Sequence, residues 1–156
     1  MKYVCTLIVV KNIEQSKKFY RDLLEQEVIE DLGANVTLTG GFSLQEAESW
    51  QGFINKEENE VSYGNNDAEL YFEEDDIDNF MTKLNSVEVE YVHPLKEHSW
   101  GQRVVRFYDL DKHIIEVGEN MPVVVKRFID SGLTVEQTAE RMDVPVDYVK
   151  SLLCRR

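Results

Sequence analysis

The stretch that decides the fold is RVVRFYDLDKHIIEV, residues 103–117. Two runs rich in β-branched and aromatic residues flank the polar segment Asp109–Lys112, which predicts two strands joined by a tight turn. Because side chains alternate between the two faces of a strand, Glu116 shares a face with Ile114, whereas Ile115 lies on the other face. A carboxylate among apolar residues needs a cation, a metal, hydrogen bonds or a water-filled cavity, since burying it unpaired is costly.

The composition limits the class of protein. With 156 residues, 42% of them hydrophobic and 10% aromatic, the chain has enough apolar material for one ordinary core and a small appendage. No apolar run approaches the length of a membrane span, and the start, MKYVCTLIVV, is too short and too β-branched for a signal peptide. Cys5 and Cys154 have no CxxC spacing, which predicts free thiols. We therefore expect a soluble cytoplasmic protein with no membrane partner.

The charge is large, negative and unevenly distributed. The formal net charge of −13 disfavours nonspecific binding to nucleic acid or anionic lipid, because the overall field repels polyphosphate. Residues 1–120 contain 25 acidic and 11 basic side chains, whereas residues 121–156 contain 5 acidic and 6 basic ones. This change near Met121 predicts a main domain over 1–120 and a separate segment over 121–156.

The order of predicted elements occurs twice. Each half begins with a strand, continues with an amphipathic helix and ends with three short strands. Asn12 and Asp76 are the expected N-caps of the two helices. This internal repeat favours an α+β fold in which paired βαβββ modules form a curled mixed sheet around a cavity, with the modules paired within one chain or across a dimer. The predicted strands cover residues 3–10, 27–30, 35–39, 42–45, 69–73, 87–92, 102–108 and 113–118, with a polar connection at 46–67.

Three segments carry a resemblance to one known superfamily. They are LIVVKNIEQSKKFYRDLL at 7–24, AELYFEEDDIDNFMTKL at 68–84 and WGQRVVRFYDLDKHIIEVGE at 100–119, of which the last is the most specific. Together they are similar to the vicinal oxygen chelate superfamily, which includes glyoxalase I, extradiol dioxygenases and the bleomycin and fosfomycin resistance proteins. The resemblance covers about residues 3–119. Where that family commonly has Asp-Pro-Asp-Gly in the closing turn, this chain has an altered Asp-Leu-Asp-Lys at 109–112.

The resemblance also implies where a metal would be bound, since the family places its ligands on the first and last strands of each module. Cys5 and Glu69 stand where histidine is common, Gln45 stands where a carboxylate or amide is common, and Glu116 matches the closing-strand glutamate. Glu116, Glu69 and Gln45 would offer oxygen ligands to a divalent metal such as Mn, Ni, Zn or Mg. Dioxygenase chemistry is disfavoured, because its iron site needs two histidines and one carboxylate.

The resemblance implies a small organic ligand and leaves several functions open. With a metal, the protein would be a lyase or isomerase of the glyoxalase type that uses Glu116 as its catalytic base. Without a metal, it would be a drug- or metabolite-sequestering protein of the resistance type. A regulator that senses a ligand and acts through its helical tail is a third alternative. Cys5, Tyr71, Trp100 and Arg103 are expected to line the ligand pocket, and the protein is expected to be a homodimer.

Structural roles compete with these assignments. Glu116 can instead form a salt bridge with Arg103 or Arg106 on the adjoining strand. Glu69 can be a rim residue that faces solvent. Cys5 can be a small buried hydrophobic residue, since free cysteine is among the most buried residue types.

The C-terminal segment has the pattern of short helices. Pro122 can open one helix, and Thr134 with Gln137 forms a capping box for the next. The stretch DSGLTVEQTAERMDVPVDYVKSLL, residues 130–153, resembles a helix-turn-helix. Its last helix carries too few cations to hold DNA phosphates against the acidic body, so we expect no nucleic-acid partner. A helical cap over the cavity or over a dimer seam is favoured.

Overall fold

The computed structural model describes residues 1–154, which fall into two compact units. The first unit comprises residues 1–69 together with the turn segment 108–114. The second comprises residues 70–107 and the chain from Ile115 onward. Each unit packs the helix of its own βαβββ module against its own sheet.

The first unit contains a four-stranded mixed sheet in the order β1-β4-β3-β2. Strand β1 is parallel to β4, and the remaining neighbours are antiparallel. The single parallel pair exists because α1 carries the chain from β1 across to the far edge of the sheet. The elements are β1 (Thr6–Val10), α1 (Ile13–Leu24), β2 (Val28–Asp31), β3 (Asn35–Leu38), β4 (Phe42–Glu46), α2 (Ala47–Ile54) and a short 3-10 helix (Glu58–Glu60).

Local signals in the sequence position α1 against one face of this sheet. Asn12 is the N-cap, and its side chain accepts a hydrogen bond from the backbone N–H of Gln15 at 3.0 Å, as predicted. Tyr20 is fully buried, and its ring meets that of Phe42 on β4 edge-on with 5.2 Å between centroids. Since Phe42 points toward α1, the alternation along β4 directs Ser43 and Gln45 to the opposite face.

The turn that joins the last two strands is held by one carboxylate. Asp109 accepts hydrogen bonds from the Tyr20 hydroxyl at 2.7 Å and from His113 Nδ1 at 2.9 Å. Two backbone N–H groups of the turn, at 2.8 and 2.9 Å, bind its other oxygen. Lys112 has φ +69°, a left-handed conformation that favours glycine, which is the residue common in the resembling turn. The hydrogen bonds of Asp109 thus stabilise a turn that lacks its usual glycine.

The second unit repeats the architecture with the sheet order β5-β8-β7-β6. Three further helices follow its last strand. The prediction of an α+β fold built from two βαβββ modules with a helical C-terminal tail is confirmed, and each module contains its own four-stranded mixed sheet. The elements are β5 (Glu69–Glu74), α3 (Ile77–Leu84), β6 (Tyr91–Glu97), β7 (Arg103–Tyr108), β8 (Ile114–Glu119), α4 (Met121–Asp130), α5 (Val135–Met142) and α6 (Val146–Leu153).

Two predicted elements were wrong in detail. Strand β6 spans residues 91–97 and not 87–92, although Pro94 lies within it. Proline is tolerated there because β6 is an edge strand, with a neighbour on one side only. The polar connection predicted at 46–67 contains helix α2, whose apolar residues Trp50, Phe53 and Ile54 are spaced for one helical face.

Helices α4, α5 and α6 form a small cluster with its own apolar core. The predicted capping box is present, since Thr134 accepts from the backbone N–H of Gln137 at 3.2 Å and the Gln137 side chain accepts from the N–H of Thr134 at 2.9 Å. The core residues are Val124, Val125, Phe128, Ala139, Met142, Val149 and Leu152. Within residues 1–154, no helix is both long and apolar enough to cross a membrane.

A buried carboxylate connects these helices to the second sheet. Glu119 at the end of β8 is 1% exposed and accepts hydrogen bonds from Arg103 Nε at 2.9 Å and from Arg127 Nη2 of α4 at 3.0 Å. Arg103 also donates to Asp78 of α3 at 2.9 Å. Burial alone would raise the pKa of Glu119, but the hydrogen bonds from Arg103 and the charge of Arg127 hold that pKa below its ordinary value.

The acid sensitivity of the second unit should depend on Glu119. Because its pKa is lowered on folding, the stability that it contributes is present above its unfolded pKa of about 4.3 and is lost as the pH falls through the lower folded value. Urea unfolding at pH 7 and pH 3 should therefore show a larger loss of unfolding free energy for the wild type than for Glu119→Gln. The exposed control Glu48→Gln should behave like the wild type, and equal losses in all three proteins would contradict the assignment.

The contact between α4 and the loop before β7 should be sensitive to one added methyl group. Gly101 has φ +91°, and a Cβ built there would overlap the ring of Phe128. Gly132 has φ +100°, but nothing lies within 4 Å of a Cβ at that position. Gly132→Ala should cost about 1 kcal/mol through backbone strain alone. Gly101→Ala should cost about 1–3 kcal/mol more through overpacking, measured by urea unfolding.

Candidate functional site

The second sheet presents a polar face on the side opposite α3. The rings of Phe107 on β7 and Phe80 on α3 lie 6.4 Å apart, so Phe107 points toward the helix. Alternation along β7 then directs Arg106 to the opposite side. We use the term polar face for five of the residues on that side: Tyr71, Gln102, Arg106, Glu116 and Gly118.

Glu116 is buried in this face and paired with an arginine. It is 7% exposed as a residue, and its carboxylate forms an ion pair with Arg106 Nη2. Of the two arginines that the sequence offered as salt-bridge partners, Arg106 is therefore the one observed. Arg103 lies on the α3 side, where it binds Glu119 and Asp78. The structure thus separates Arg103, which was expected to line the pocket, from Tyr71 and Glu116 on the polar face.

The contacts of His93 determine which of its ring nitrogens carries the proton. Arg106 Nη1 lies 3.2 Å from His93 Nε2, and a guanidinium can only donate, so Nε2 is the acceptor. His93 Nδ1 lies 2.9 Å from the carbonyl oxygen of Pro94, which can only accept, so Nδ1 is the donor. His93 is therefore a neutral imidazole that orients the guanidinium. Sequence reasoning missed this role because the strand β6 was predicted in a different position.

A second hydrogen-bonded group on the polar face joins three side chains. Gln102 Nε2 donates to the Tyr71 hydroxyl at 3.0 Å and to the carbonyl oxygen of Glu119 at 2.8 Å, while its Oε1 accepts from Trp100 Nε1 at 3.1 Å. The Tyr71 and Gln102 side chains lie over Gly118, where an added Cβ would lie 2.8 Å from Gln102 Nε2 and 3.3 Å from Tyr71 Cε2. The two aromatic residues predicted for the pocket are thus held in place by Gln102, and Tyr71 remains 48% exposed.

Of the three candidates in the first unit, Gln45 lies in a neutral hydrogen-bond network on the face of the first sheet opposite α1. Gln45 is 2% exposed; its Oε1 accepts from Asn35 at 2.8 Å and its Nε2 donates to the carbonyl oxygen of Ala34 at 3.0 Å. Cys5 is half-buried, with its Sγ 3.5 Å from the Ser43 hydroxyl. Glu69 is exposed at the start of β5. No charged group of the first unit takes part in the Gln45 network.

The donor groups at the predicted metal positions do not fit a divalent metal. The Glu116 carboxylate is bound to a guanidinium, so a metal there would have to lie beside a fixed positive charge. Both ends of the Gln45 amide are occupied by protein groups. Within residues 1–154, no group of three or more His, Cys, Asp or Glu side chains is arranged to hold a metal ion. The assignment of Glu116, Glu69 and Gln45 as metal ligands rests on the resemblance alone.

Comparison with known proteins establishes the family. Residues 3–122 match the family model described as Glyoxalase-like domain. The crystal structure of a protein of unknown function from Agrobacterium tumefaciens is 40% identical, with a TM-score of 0.67, and the match covers 77% of this chain and 94% of that one. The chain therefore belongs to the glyoxalase-like domain family of the vicinal oxygen chelate superfamily. A search of curated proteins finds no match.

More distant structures share the fold. A glyoxalase/bleomycin resistance protein/dioxygenase from Nocardioides is 15% identical with a TM-score of 0.61, over 76% of this chain and 83% of that one. A mutant of the fosfomycin resistance protein FosX from Listeria monocytogenes, complexed with Mn(II) and 1S,2S-dihydroxypropylphosphonic acid, is 16% identical with a TM-score of 0.57, over 81% and 97%. A structural relative thus binds a divalent metal.

The ion pair on the polar face should show strong coupling in a double-mutant cycle. Arg106→Gln leaves the Glu116 carboxylate buried without its cation, and Glu116→Gln leaves the guanidinium without its anion. Each single change should cost on the order of 2 kcal/mol, below the value for a fully buried pair because Arg106 is partly exposed. The double variant should be close to the wild type in urea unfolding. Additive losses would show that the two groups do not interact.

Proposed function

We propose that this protein binds a small organic molecule on the polar face of its second sheet without a metal. The observation that carries the proposal is the ion pair between Glu116 and Arg106. Glu116 stands at the position of the closing-strand glutamate of the family, and here a guanidinium of the chain itself provides its counter-charge. The sequestering alternative is therefore favoured over the metal-dependent lyase or isomerase.

The same ion pair argues against Glu116 as a catalytic base. A base must accept a proton from its substrate, and a carboxylate bound to a guanidinium and 7% exposed is stabilised in its ionised form and shielded from contact. A base of this kind would need Arg106 to move first. Binding, unlike proton transfer, does not require the carboxylate to be released.

Exposed aromatic groups provide the surface for a ligand. Tyr71 and Trp100 are 48% and 38% exposed although Gln102 fixes both of them through hydrogen bonds. The ring of His98 stacks on that of Trp100 with 4.3 Å between centroids. Aromatic side chains that are held rigid while exposed lose little entropy when an organic ligand packs on them.

Ligand binding should persist when metals are removed. A panel of organic molecules, including bleomycin, fosfomycin and S-lactoylglutathione, can be screened by thermal shift in EDTA and again with added Mn(II). The expected result is a ligand whose stabilisation is the same in both conditions, since binding shifts the folding equilibrium by mass action. A ligand that stabilises the protein only with Mn(II) would refute the metal-free proposal.

The position of the site should be confirmed by Tyr71→Ala. Loss of the ring should weaken binding of any ligand found in that screen by about tenfold, the free energy of one aromatic contact. Phe53→Ala is the matched control, because Phe53 is 73% exposed on α2 in the first unit. Equal affinity of Tyr71→Ala and the wild type, measured by calorimetry, would place the ligand elsewhere.

A homodimer joined along β2 fits an exposed edge of the first sheet. Strand β2 is an edge strand, and Val28, Ile29 and Leu32 beside it are all exposed. Exposed apolar edges pair readily with another chain. Light scattering should show a dimer for the wild type and a monomer for Ile29→Lys; a monomeric wild type would rule this interface out.

A further inference from the structure

We infer that the helical tail, α4 to α6, is a strap over the loop between β6 and β7, and that Arg141 positions Trp100 through this loop. The loop comprises residues 98–102, between the ends of the two strands. Trp100 belongs to the ligand surface proposed above, so the consequence for binding rests on the proposed function. The position of Trp100 itself can be measured without a ligand.

The tail is an addition to the family domain. The family match ends at residue 122, in the first turn of α4. Arg127, Phe128 and Arg141, the tail residues that contact the loop, therefore lie outside the matched range. A segment beyond the glyoxalase-like domain supplies the contacts that hold this loop.

Two arginines of the tail converge on one carboxylate at the start of the loop. Glu97, the last residue of β6, accepts from Arg141 Nη2 at 3.0 Å through one oxygen and from Arg127 Nη1 at 3.5 Å through the other. Arg141 Nη1 also donates to the carbonyl oxygen of Ser99. Arg127 Nη2 donates to that of Gly101 at 2.5 Å. The tail thus binds every second residue from 97 to 101.

An aromatic ring packs beside the two arginines and against the loop. The guanidinium carbons of Arg127 and Arg141 lie 5.1 and 5.2 Å from the centroid of the Phe128 ring. A guanidinium at this distance is attracted by the electrons of the ring. The same ring lies so close to the Gly101 backbone that an added Cβ would overlap it. Phe128 therefore helps to orient both cations toward the loop.

The loop in turn holds the Trp100 ring. The backbone N–H of His98 donates to the carbonyl oxygen of Gln102, and that of Gly101 donates to the carbonyl oxygen of His98, both at 2.9 Å. The Trp100 ring stacks on His98, and its Nε1 donates to Gln102. Both of these partners belong to the loop, so the position of the ring depends on the position of the loop.

Arg141 is the member of the strap that can be changed without disturbing the buried carboxylate of the second unit. Arg127 binds Glu119 as well as the loop, so its loss would act on both. The hydrogen bonds that Arg141 donates go to Glu97 and Ser99, and its side chain is 38% exposed. Removing it should release the loop while the cores of the sheet and the tail stay packed.

The experiment follows the indole N–H of Trp100 in the full chain by nitrogen-15 NMR, using its rate of exchange with solvent. The proteins are the wild type, Arg141→Ala, Arg141→Lys and the control Lys150→Ala. Lys150 carries the same charge at an exposed position of α6 and has none of the loop contacts described above. The chain has two tryptophans, and Trp50→Phe in the first unit identifies the signal of Trp100.

A second reading shows whether the tail remains folded. The backbone amides of Ala139 and Val149 lie in the core of the tail. Their signals should be the same in all four proteins, because none of the substitutions removes a core residue.

Arg141→Ala should speed exchange of the Trp100 indole N–H about fivefold, since the loop that holds its acceptor is released and one hydrogen bond is worth about that ratio. Arg141→Lys should give an intermediate rate, because an ammonium still donates but lacks the planar fork of a guanidinium. Lys150→Ala should stay within about twofold of the wild type, as is usual for a surface substitution.

Three results would overturn this role of Arg141. An unchanged exchange rate in Arg141→Ala would show that the loop holds Trp100 without the tail. An equal increase in Lys150→Ala would show that net charge, and not the contact, is responsible. Loss of the Ala139 and Val149 signals in Arg141→Ala would show that Arg141 stabilises the tail itself. The proposed function is tested separately, since unchanged ligand affinity in Tyr71→Ala would refute the proposed site without affecting the strap.

Discussion

The second unit is organised around two ion pairs, each between an arginine of β7 and a glutamate of β8. The arginines are three residues apart at 103 and 106, and the glutamates are three residues apart at 116 and 119. Because an odd separation along a strand places side chains on opposite faces, one pair points toward α3 and the other points away from it. The same short hairpin therefore carries a structural ion pair on one face and a candidate binding group on the other.

The pair on the helix side is the more deeply buried and has the more complete set of partners. Glu119 is 1% exposed and receives hydrogen bonds from Arg103 and Arg127, which connects the sheet to α3 and to the helical tail. Arg127 also donates to the carbonyl oxygen of Gly101, and Arg141 bonds to Glu97. The tail thus contacts the loop that carries Trp100. The helical tail therefore packs against the second unit, and two of its own cations, Arg127 and Arg141, make the contacts.

The other pair, Arg106 with Glu116 on the polar face, does not fit the metal site that the superfamily resemblance implies. A metal site needs donors that are free to turn toward one point, whereas here Glu116 and Gln45 are both held by protein groups. Membership of the glyoxalase-like family thus defines the scaffold and not the reaction, because function resides in the particular side chains of the site. In this chain the candidate site contains a guanidinium, an imidazole and two exposed aromatic rings.

The sequence by itself determined the order of elements, the family, and most helix starts. These depend on local signals: the caps Asn12, Asp76 and Thr134 act within three residues, and hydrophobic periodicity is read over a single helix or strand. The tertiary structure alone decided that Glu116 pairs with Arg106 and not with Arg103, and that Gln45 is enclosed by Asn35 and Ala34. It also placed β6 around Pro94, which no local signal predicted. Such choices depend on which face and which neighbouring strand a side chain meets, and those are properties of the assembled sheet.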